Sequence, residues 1–203
     1  GAVRRHLGVP GEERLAHRGV SYCAVCDGSF FRGRDVAVVG GGNTALEDAL
    51  YLAGICPHVW LIHRRADFRA QARLVERLHD EPKIEFLSSS TVTEIRGGDR
   101  VEGILVGTPH GEREIPVSAV FVAVGLAADN AAFADLVELD ENGYIRAGAD
   151  THTTCPGVFA AGDTRTTPLR QILTAAADGA AAATAAEQYL RETAAKNAAA
   201  TVK

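Results

Sequence analysis

An apolar run that ends in three consecutive glycines constrains the fold of this chain more than any other feature. The run Asp35-Val-Ala-Val-Val39 shows no polar alternation, which is typical of a strand buried on both faces of a parallel sheet. After the glycines, a helical pattern over 44–53 places small and apolar residues on one face. A second apolar run, His58-Val-Trp-Leu-Ile62, follows that helix. This order predicts a β-α-β unit with parallel strands.

The chain beyond this unit separates into two parts. A helix is expected from Phe68 to His79, and turn residues then divide a stretch that predicts a three-stranded antiparallel meander. Its strands are expected near 91–96, 101–106 and 114–117. An apolar strand returns at 119–125 and ends at a glycine.

After Gly125 the pattern consists of short, turn-separated pieces, followed by a small strand at Val158–Ala161 and an Ala-rich helix from Leu169 to about Leu190. We therefore predict an α/β chain with a first domain at 1–125 and a second at 126–203.

Composition excludes several classes of protein. The 203 residues are 46% hydrophobic and carry a net charge of −5, which argues against a nucleic-acid binder. No apolar run is long enough to cross a membrane, and the N-terminus has no apolar signal region, so a cytoplasmic protein is expected. Cys56 and Cys155 are isolated in sequence from any partner at zinc-ligand spacing, so no metal site is predicted.

The glycine run matches a dinucleotide fingerprint. Gly40-x-Gly42-x-x-Ala45 follows a predicted strand and opens a predicted helix, which is the context that gives this pattern its meaning. Gly40 would form the tight turn, Gly42 would admit a pyrophosphate, and Ala45 would let the helix pack on the sheet. The alternative is a glycine-rich turn that binds no ligand.

The residues after the second predicted strand indicate which dinucleotide would bind. An NAD site presents a carboxylate to the ribose 2′-hydroxyl at this position, whereas this chain has His63-Arg64-Arg65, with Arg69 a turn later. Guanidinium groups bind a 2′-phosphate bidentately, so NADPH is predicted over NADH. A solvated basic helix start is the alternative.

A Cys-x-x-Cys pair precedes the glycine run. Cys23 and Cys26 are separated by two residues, and a pair with this spacing beside a β-α-β unit predicts a redox dithiol. Asp27 is adjacent; its charge opposes thiolate formation, so its useful role would be proton transfer during exchange. A structural dithiol or half of a metal site are the alternatives for the pair, and an ordinary Asp-Gly turn is the alternative for Asp27.

Taken together, these motifs resemble those of the low-molecular-weight bacterial thioredoxin reductases. The similarity runs along nearly the whole chain, with the motifs in the family's order. It depends on Cys23-Ala-Val-Cys-Asp-Gly28, Gly40-Gly-Gly-Asn-Thr-Ala45, His63-Arg-Arg65, Gly157-Val-Phe-Ala-Ala-Gly-Asp163 and Arg170-Gln171.

The resemblance implies a fold and a set of roles. The fold would be a Rossmann-like NADPH-binding domain with a β-meander, followed by the C-terminal remainder of a Rossmann-like FAD-binding domain. Cys26 would face the flavin, Cys23 would attack the partner protein, and Asp27 would donate the proton. Asn43, Thr44 and Gly125 would complete the NADPH site. The FAD contacts would come from Asp163, Arg170, Gln171 and Ile172.

The resemblance also implies that electrons pass from NADPH to FAD, then to the dithiol and then to thioredoxin. Family members carry a second fingerprint in an earlier FAD segment, whereas this chain shows one, so we expect a truncated chain that turns over little by itself. The family's Pro-Asn after the strand glycine is replaced here by Leu126-Ala-Ala-Asp-Asn130. A homodimer is expected from the family. An NADPH-binding module without turnover, or a reductase for a peroxiredoxin-type partner, are alternatives, and a non-redox structural protein is a third.

Overall fold

The computed structural model describes the backbone of residues 1–201 and the side chains of residues 1–197. Two compact units make up the chain: Arg4–Gly125 form one, while Gly1–Val3 and the chain from Leu126 onward form the other. The helices and strands are β1 (Ala2–Arg4), β2 (Val20–Ser21), α1 (Ala24–Asp27), β3 (Val36–Val39), α2 (Asn43–Ala53), β4 (Val59–Ile62), α3 (Ala72–His79), β5 (Ile84–Leu87), β6 (Thr91–Arg96), β7 (Gly103–Thr108), β8 (Gly111–Pro116), β9 (Ala119–Val122), β10 (Leu126–Ala128) and α4 (Ile172–Thr201).

The first unit is built on a five-stranded parallel sheet in the order β2-β9-β3-β4-β5. All four residues of β3 are buried, because alternate side chains enter different cores on the two faces of the sheet. Val36 and Val38 pack with α2 on one face, and Ala37 and Val39 pack under the meander on the other. The prediction of a mixed α/β fold with a parallel sheet is confirmed.

The helix α2 lies on one face of this sheet because its small and apolar residues form a continuous stripe. Its buried residues are Ala45, Leu46, Ala49, Leu52 and Ala53. The opposite face is covered by the antiparallel meander β6-β7-β8. The meander is the predicted one, with β7 starting two residues later than expected because the turn at Gly97-Gly98 extends to Glu102, and with β8 starting three residues earlier, at Gly111.

Other local predictions differ from the structure. The helix expected from Phe68 begins only at Ala72, since the preceding segment is bonded to the glycine turn instead. The helix expected over 169–190 spans Ile172–Thr201. The segment Val158–Ala161, expected to be a strand, forms only an isolated antiparallel bridge between Phe159 and His152. The short elements β1, β2, α1, β5 and β10 were not predicted.

The second unit has a small core formed by Val137, Ile145, Ala147 and Ala160. A buried ion pair joins Arg165 to Asp178 on α4, with Nε–Oδ2 and Nη2–Oδ1 distances of 2.6 Å each. Among the described residues, no helix is both long and apolar enough to span a bilayer.

Asp48 on α2 makes the stability of the first unit depend on pH. Burial, with a smaller contribution from the charge of Glu47, raises the pKa of Asp48 to about 7. The unfolded chain therefore loses this proton at lower pH than the folded chain, so stability falls as pH rises from about 4 to 7. We expect Asp48→Asn to raise the free energy of unfolding at pH 8 by about 1–2 kcal/mol and to change nothing below pH 4.

Urea unfolding at both pH values measures this difference, with an exposed glutamate of α3 changed in Glu76→Gln as the control. An Asp48→Asn stabilisation of equal size at both pH values would show that the carboxyl is not protonated in the folded state.

Candidate functional site: a disulfide and a basic glycine turn at one edge of the sheet

The predicted site residues of the first unit follow the carboxyl ends of parallel strands. Cys23 comes shortly after β2, Gly40 after β3, His63 after β4 and Gly125 after β9. Because these strands are parallel neighbours, their carboxyl ends meet at one edge of the sheet, where open α/β sheets bind ligands. Only β9 lies between β2 and β3, so the strands that lead to the dithiol and to the glycine turn are about 10 Å apart.

Cys23 and Cys26 form a disulfide, with their Cα atoms 5.3 Å apart. Cys23 caps the short helix α1, and its Sγ accepts a hydrogen bond from the backbone N–H of Cys26 at 3.2 Å. Cys26 is exposed, whereas Cys23 is half-buried. Around the disulfide, Val25 and Phe30 are 64% and 74% exposed, which leaves an apolar surface beside the reactive bond.

The Asp27 carboxylate is held by a residue that the sequence analysis missed. The hydroxyl of Ser21 donates to Asp27 Oδ2 at 2.6 Å, and Ser21 Oγ also accepts from the backbone N–H of Cys23 at 3.1 Å. Ser21 is buried in β2, a strand that the sequence did not predict. This bridge fixes the carboxylate beside the dithiol loop.

A buried carboxylate supports the segment on the other side of Cys23. Glu12 is 1% exposed and accepts from the backbone N–H groups of Leu7 and Gly8 and from the hydroxyl of Tyr22. Burial, followed by the hydrogen bond and charge of Glu12, raises the pKa of Tyr22 to about 12. Tyr22 is therefore a protonated donor near neutral pH, and it stiffens the chain that leads into the dithiol.

The glycine turn has the backbone geometry that its sequence predicts. Gly40 has φ +153°, and a Cβ at this position would lie 2.3 Å from the carbonyl oxygen of Ala123. Gly42 begins α2 in an extended conformation, and a Cβ there would meet nothing within 4 Å. The turn therefore leaves open space in front of the first N–H groups of α2, at Asn43 and Thr44, where a phosphate can bind.

The basic residues lie beside this turn. The ring of His63 packs directly on Gly41, and its Nε2 is buried without a hydrogen-bond partner. Burial, with the nearby arginine charges, lowers the pKa of His63, so the ring is neutral near pH 7. Arg64, Arg65 and Arg69 are exposed, and no carboxylate among the described residues pairs with them. Arg64, Arg65 and Arg69 thus form an unpaired arginine corner beside the glycine turn, and three guanidinium groups there are suited to binding an anion.

The predicted FAD residues lie in the second unit. Asp163 borders a cavity of about 440 Å³ that is lined mainly by apolar side chains. The guanidinium of Arg170 lies 4.1 Å from the centre of the Tyr144 ring, and its Nε is buried without a partner. The Gln171 N–H donates to Thr174 at the start of α4, and Ile172 is 89% exposed.

A family model for the pyridine nucleotide-disulphide oxidoreductases matches residues 1–179. The chain belongs to this family. Among other members of the pyridine nucleotide-disulphide oxidoreductase family, the thioredoxin reductase of Listeria monocytogenes is 47% identical to it, covering 95% of this chain and 61% of that protein. A bifunctional thioredoxin reductase/thioredoxin of Mycobacterium leprae is 45% identical, covering 95% of this chain and 43% of that protein.

Solved structures of this oxidoreductase family give the same result. The thioredoxin reductase of Streptococcus pyogenes is 43% identical, with a TM-score of 0.88 over 95% of this chain and 64% of that one. The thioredoxin reductase of Giardia duodenalis is 36% identical, with a TM-score of 0.88 over 94% of this chain and 64% of that one. The resemblance expected from the motifs is therefore confirmed, and the chain spans between 43% and 63% of the length of the curated relatives it matches.

Proposed function

We propose that this chain takes part in the NADPH-dependent reduction of a protein disulfide, with thioredoxin as the partner. The observation that carries the proposal is the placement of the Cys23–Cys26 disulfide and the unpaired arginine corner at one edge of the same parallel sheet. Relatives named thioredoxin reductase are 47% and 43% identical to this chain over 195 residues. In this proposal residues 1–125 bind NADPH and carry the dithiol, and residues 126–203 belong to an FAD-binding domain of a cytoplasmic enzyme.

The residues of the glycine turn suit NADPH. The pyrophosphate would lie on the N–H groups at the start of α2, in the space that Gly42 leaves open. Arg64, Arg65 and Arg69 would hold the 2′-phosphate, since no carboxylate of the described chain neutralises them. Gly125, which has φ +108° just after β9, would keep the space above the sheet edge clear of a side chain.

The residues of the second unit suit part of FAD. The Asp163 carboxylate at the cavity edge can accept hydrogen bonds from ribityl hydroxyls, and the buried Nε of Arg170 is a donor without a partner. Ile172, the exposed first residue of α4, and the half-buried Gln171 just before it would contribute further contacts. When bound, FAD would accept two electrons from NADPH and pass them to the disulfide.

The dithiol chemistry follows from the exposure of the two cysteine residues. Once reduced, a thiolate of the pair attacks the partner disulfide, forming a mixed disulfide and releasing a partner thiolate. The second thiolate then attacks the mixed disulfide, which restores Cys23–Cys26 and releases the partner as a dithiol. The resemblance assigns the first attack to Cys23, whereas the exposure of Cys26 favours Cys26 as the sulfur that a protein partner reaches. Asp27 would protonate the leaving thiolate.

Thiol exchange with thioredoxin tests the proposed function without any flavin, because the exchange is reversible. The chain would be mixed with reduced thioredoxin, alkylated and analysed by mass spectrometry. We expect the labelled cysteines to increase from two, Cys56 and Cys155, to four. A Cys23–Cys26 bond that stays intact with thioredoxin, yet opens with a small dithiol reductant, would exclude thioredoxin as the partner.

Arg64→Glu should reverse the preference for NADPH. The substitution replaces a guanidinium by a carboxylate, which repels a 2′-phosphate and can accept from a ribose 2′-hydroxyl. We expect NADPH affinity to fall at least about tenfold, while NADH affinity is unchanged or improved. Calorimetric titration measures both. The control Arg73→Glu makes the same charge change on an exposed residue of α3; equal losses in the two variants would mean that only net charge matters.

A further inference from the structure

The segment that carries Arg69 is bonded to the glycine turn and does not continue α3. The backbone N–H of Arg69 donates to the carbonyl of Gly41 at 2.7 Å, and Arg69 forms a parallel bridge with Gly42. This contact joins the turn that would hold the pyrophosphate to one of the arginines that would hold the 2′-phosphate. The two anion positions of the nucleotide are therefore set by one local structure.

A second bond joins the same two segments through a side chain. Asn43 is the first residue of α2, and its Oδ1 accepts the backbone N–H of Gln71 at 2.8 Å. Gln71 caps the N-terminus of α3 without a side-chain cap bond of its own. The Asn43 amide oxygen therefore binds the segment 69–71, and the residue that donates to it, Gln71, comes two residues after Arg69.

Packing against the sheet supports the arrangement from below. His63 lies on Gly41, with its ring atoms 2.4 Å from the position a Cβ would take there. The His63 ring stacks on the Phe68 ring, with their centres 6.0 Å apart and their planes 13° apart. The centres of the Phe68 and Phe86 rings are 4.3 Å apart. This packing holds the segment at Phe68, and the bond to Asn43 holds it at Gln71.

We propose that Asn43 is a positioning residue for 2′-phosphate recognition, which it controls through the Asn43–Gln71 bond. The inference depends on the proposed NADPH site and assigns Asn43 a role different from direct contact with the nucleotide. Without the bond, the segment at 69–71 keeps a single backbone attachment to the turn, and the Arg69 guanidinium is no longer held at a fixed distance from the pyrophosphate position. The loss of affinity is then specific to nucleotides that carry a 2′-phosphate.

The test removes the bond from each side. Asn43→Ala deletes the acceptor. Gln71→Pro deletes the donor without changing Asn43, and the φ of −61° at Gln71 already suits proline at this helix start. Gln71→Ala is the matched control, because it changes the same exposed side chain but keeps the N–H. The full chain and each variant would be titrated with 2′,5′-ADP and with 5′-AMP.

We expect Asn43→Ala and Gln71→Pro each to weaken 2′,5′-ADP binding about fivefold to tenfold, with 5′-AMP binding changed less than about twofold. The double variant should lose no more than either single variant, and Gln71→Ala should bind as the unmodified chain does. In Asn43→Ala, the Gln71 amide should also exchange its hydrogen faster.

Other results would overturn the inference in distinguishable ways. Equal losses for both nucleotides in Asn43→Ala, with normal binding in Gln71→Pro, would mean that Asn43 contacts the nucleotide directly. Unchanged selectivity in both variants would remove Asn43 from 2′-phosphate recognition while leaving the proposed function intact. An unmodified chain that does not prefer 2′,5′-ADP over 5′-AMP would remove the NADPH site itself.

Discussion

Replacing Cys26 by serine should abolish the oxidation of reduced thioredoxin by this chain. The reaction needs the Cys23–Cys26 disulfide as its electron acceptor, and a serine hydroxyl neither forms a disulfide nor ionises near neutral pH. We expect the rate of exchange to fall by roughly a thousandfold or more. Quenched-flow alkylation with mass spectrometry measures the rate from the appearance of oxidised thioredoxin.

The paired variant Cys23→Ser separates the roles of the two sulfurs. It leaves the exposed Cys26 as a single thiol, which should form a stable mixed disulfide with a thioredoxin that keeps only one active-site cysteine, activated as an aromatic disulfide, whereas the half-buried Cys23 of Cys26→Ser should form much less. Cys155→Ser is the control and should exchange normally, because Cys155 is outside the disulfide. More mixed disulfide in Cys26→Ser than in Cys23→Ser would restore the role of Cys23 that the family resemblance implies.

Asp178→Ala should strongly destabilise the second unit. Asp178 and Arg165 are 9% and 8% exposed, and the Asp178 carboxylate also accepts the N–H of Gly162 at 3.0 Å. Arg165 in turn donates to the carbonyl of Thr166. Removing the carboxylate leaves a buried guanidinium without its counter-charge, and we expect a loss of about 3 kcal/mol in the free energy of unfolding. Urea unfolding followed by circular dichroism measures the loss.

Two comparisons test the electrostatic origin of this effect. Replacing the pair together, in Arg165→Met with Asp178→Leu, should restore most of the stability because no charge is then left unpaired. The hydrogen bonds from Arg165 lower the pKa of Asp178, so this stabilisation is present at neutral pH and is lost as the pH falls through that lowered pKa. If Asp178→Ala were as destabilising in acid as at pH 7, packing and not charge would be the cause.

The part of the fold that local pattern determines was predictable. The run at 35–39, the glycine turn and the stripe of small residues on α2 each agree with one β-α-β unit, and all three appear in the structure. The meander was also predictable, since glycine-rich turns separate its strands. These elements depend on contacts that are close in sequence.

The predictions that failed depend on distant contacts. Periodicity from Phe68 indicates a helix, but backbone bonds to Gly41 and the Asn43 side chain hold the segment out of helical conformation until Ala72. The strand β5 alternates a glutamate with apolar residues and is stabilised by pairing with β4. A segment at 158–161 with a strand-like composition makes only an isolated bridge, between Phe159 and His152, and does not form a strand.

The candidate site shows the same division. The cysteines, the glycines and the arginines have recognisable spacing, so they could be named from the sequence. Ser21 could not, because its role depends on the position of Asp27 after folding. Arg165 and Asp178 are thirteen residues apart with no motif between them, so only the packing of α4 reveals the pair.

The most direct test of the central claim is a calorimetric titration of the unmodified chain with NADPH and with NADH at the same ionic strength. The arrangement of Arg64, Arg65 and Arg69 beside the glycine turn predicts that NADPH binds at least about tenfold more tightly. Equal affinities, or a preference for NADH, would contradict the assignment of this sheet edge as an NADPH site.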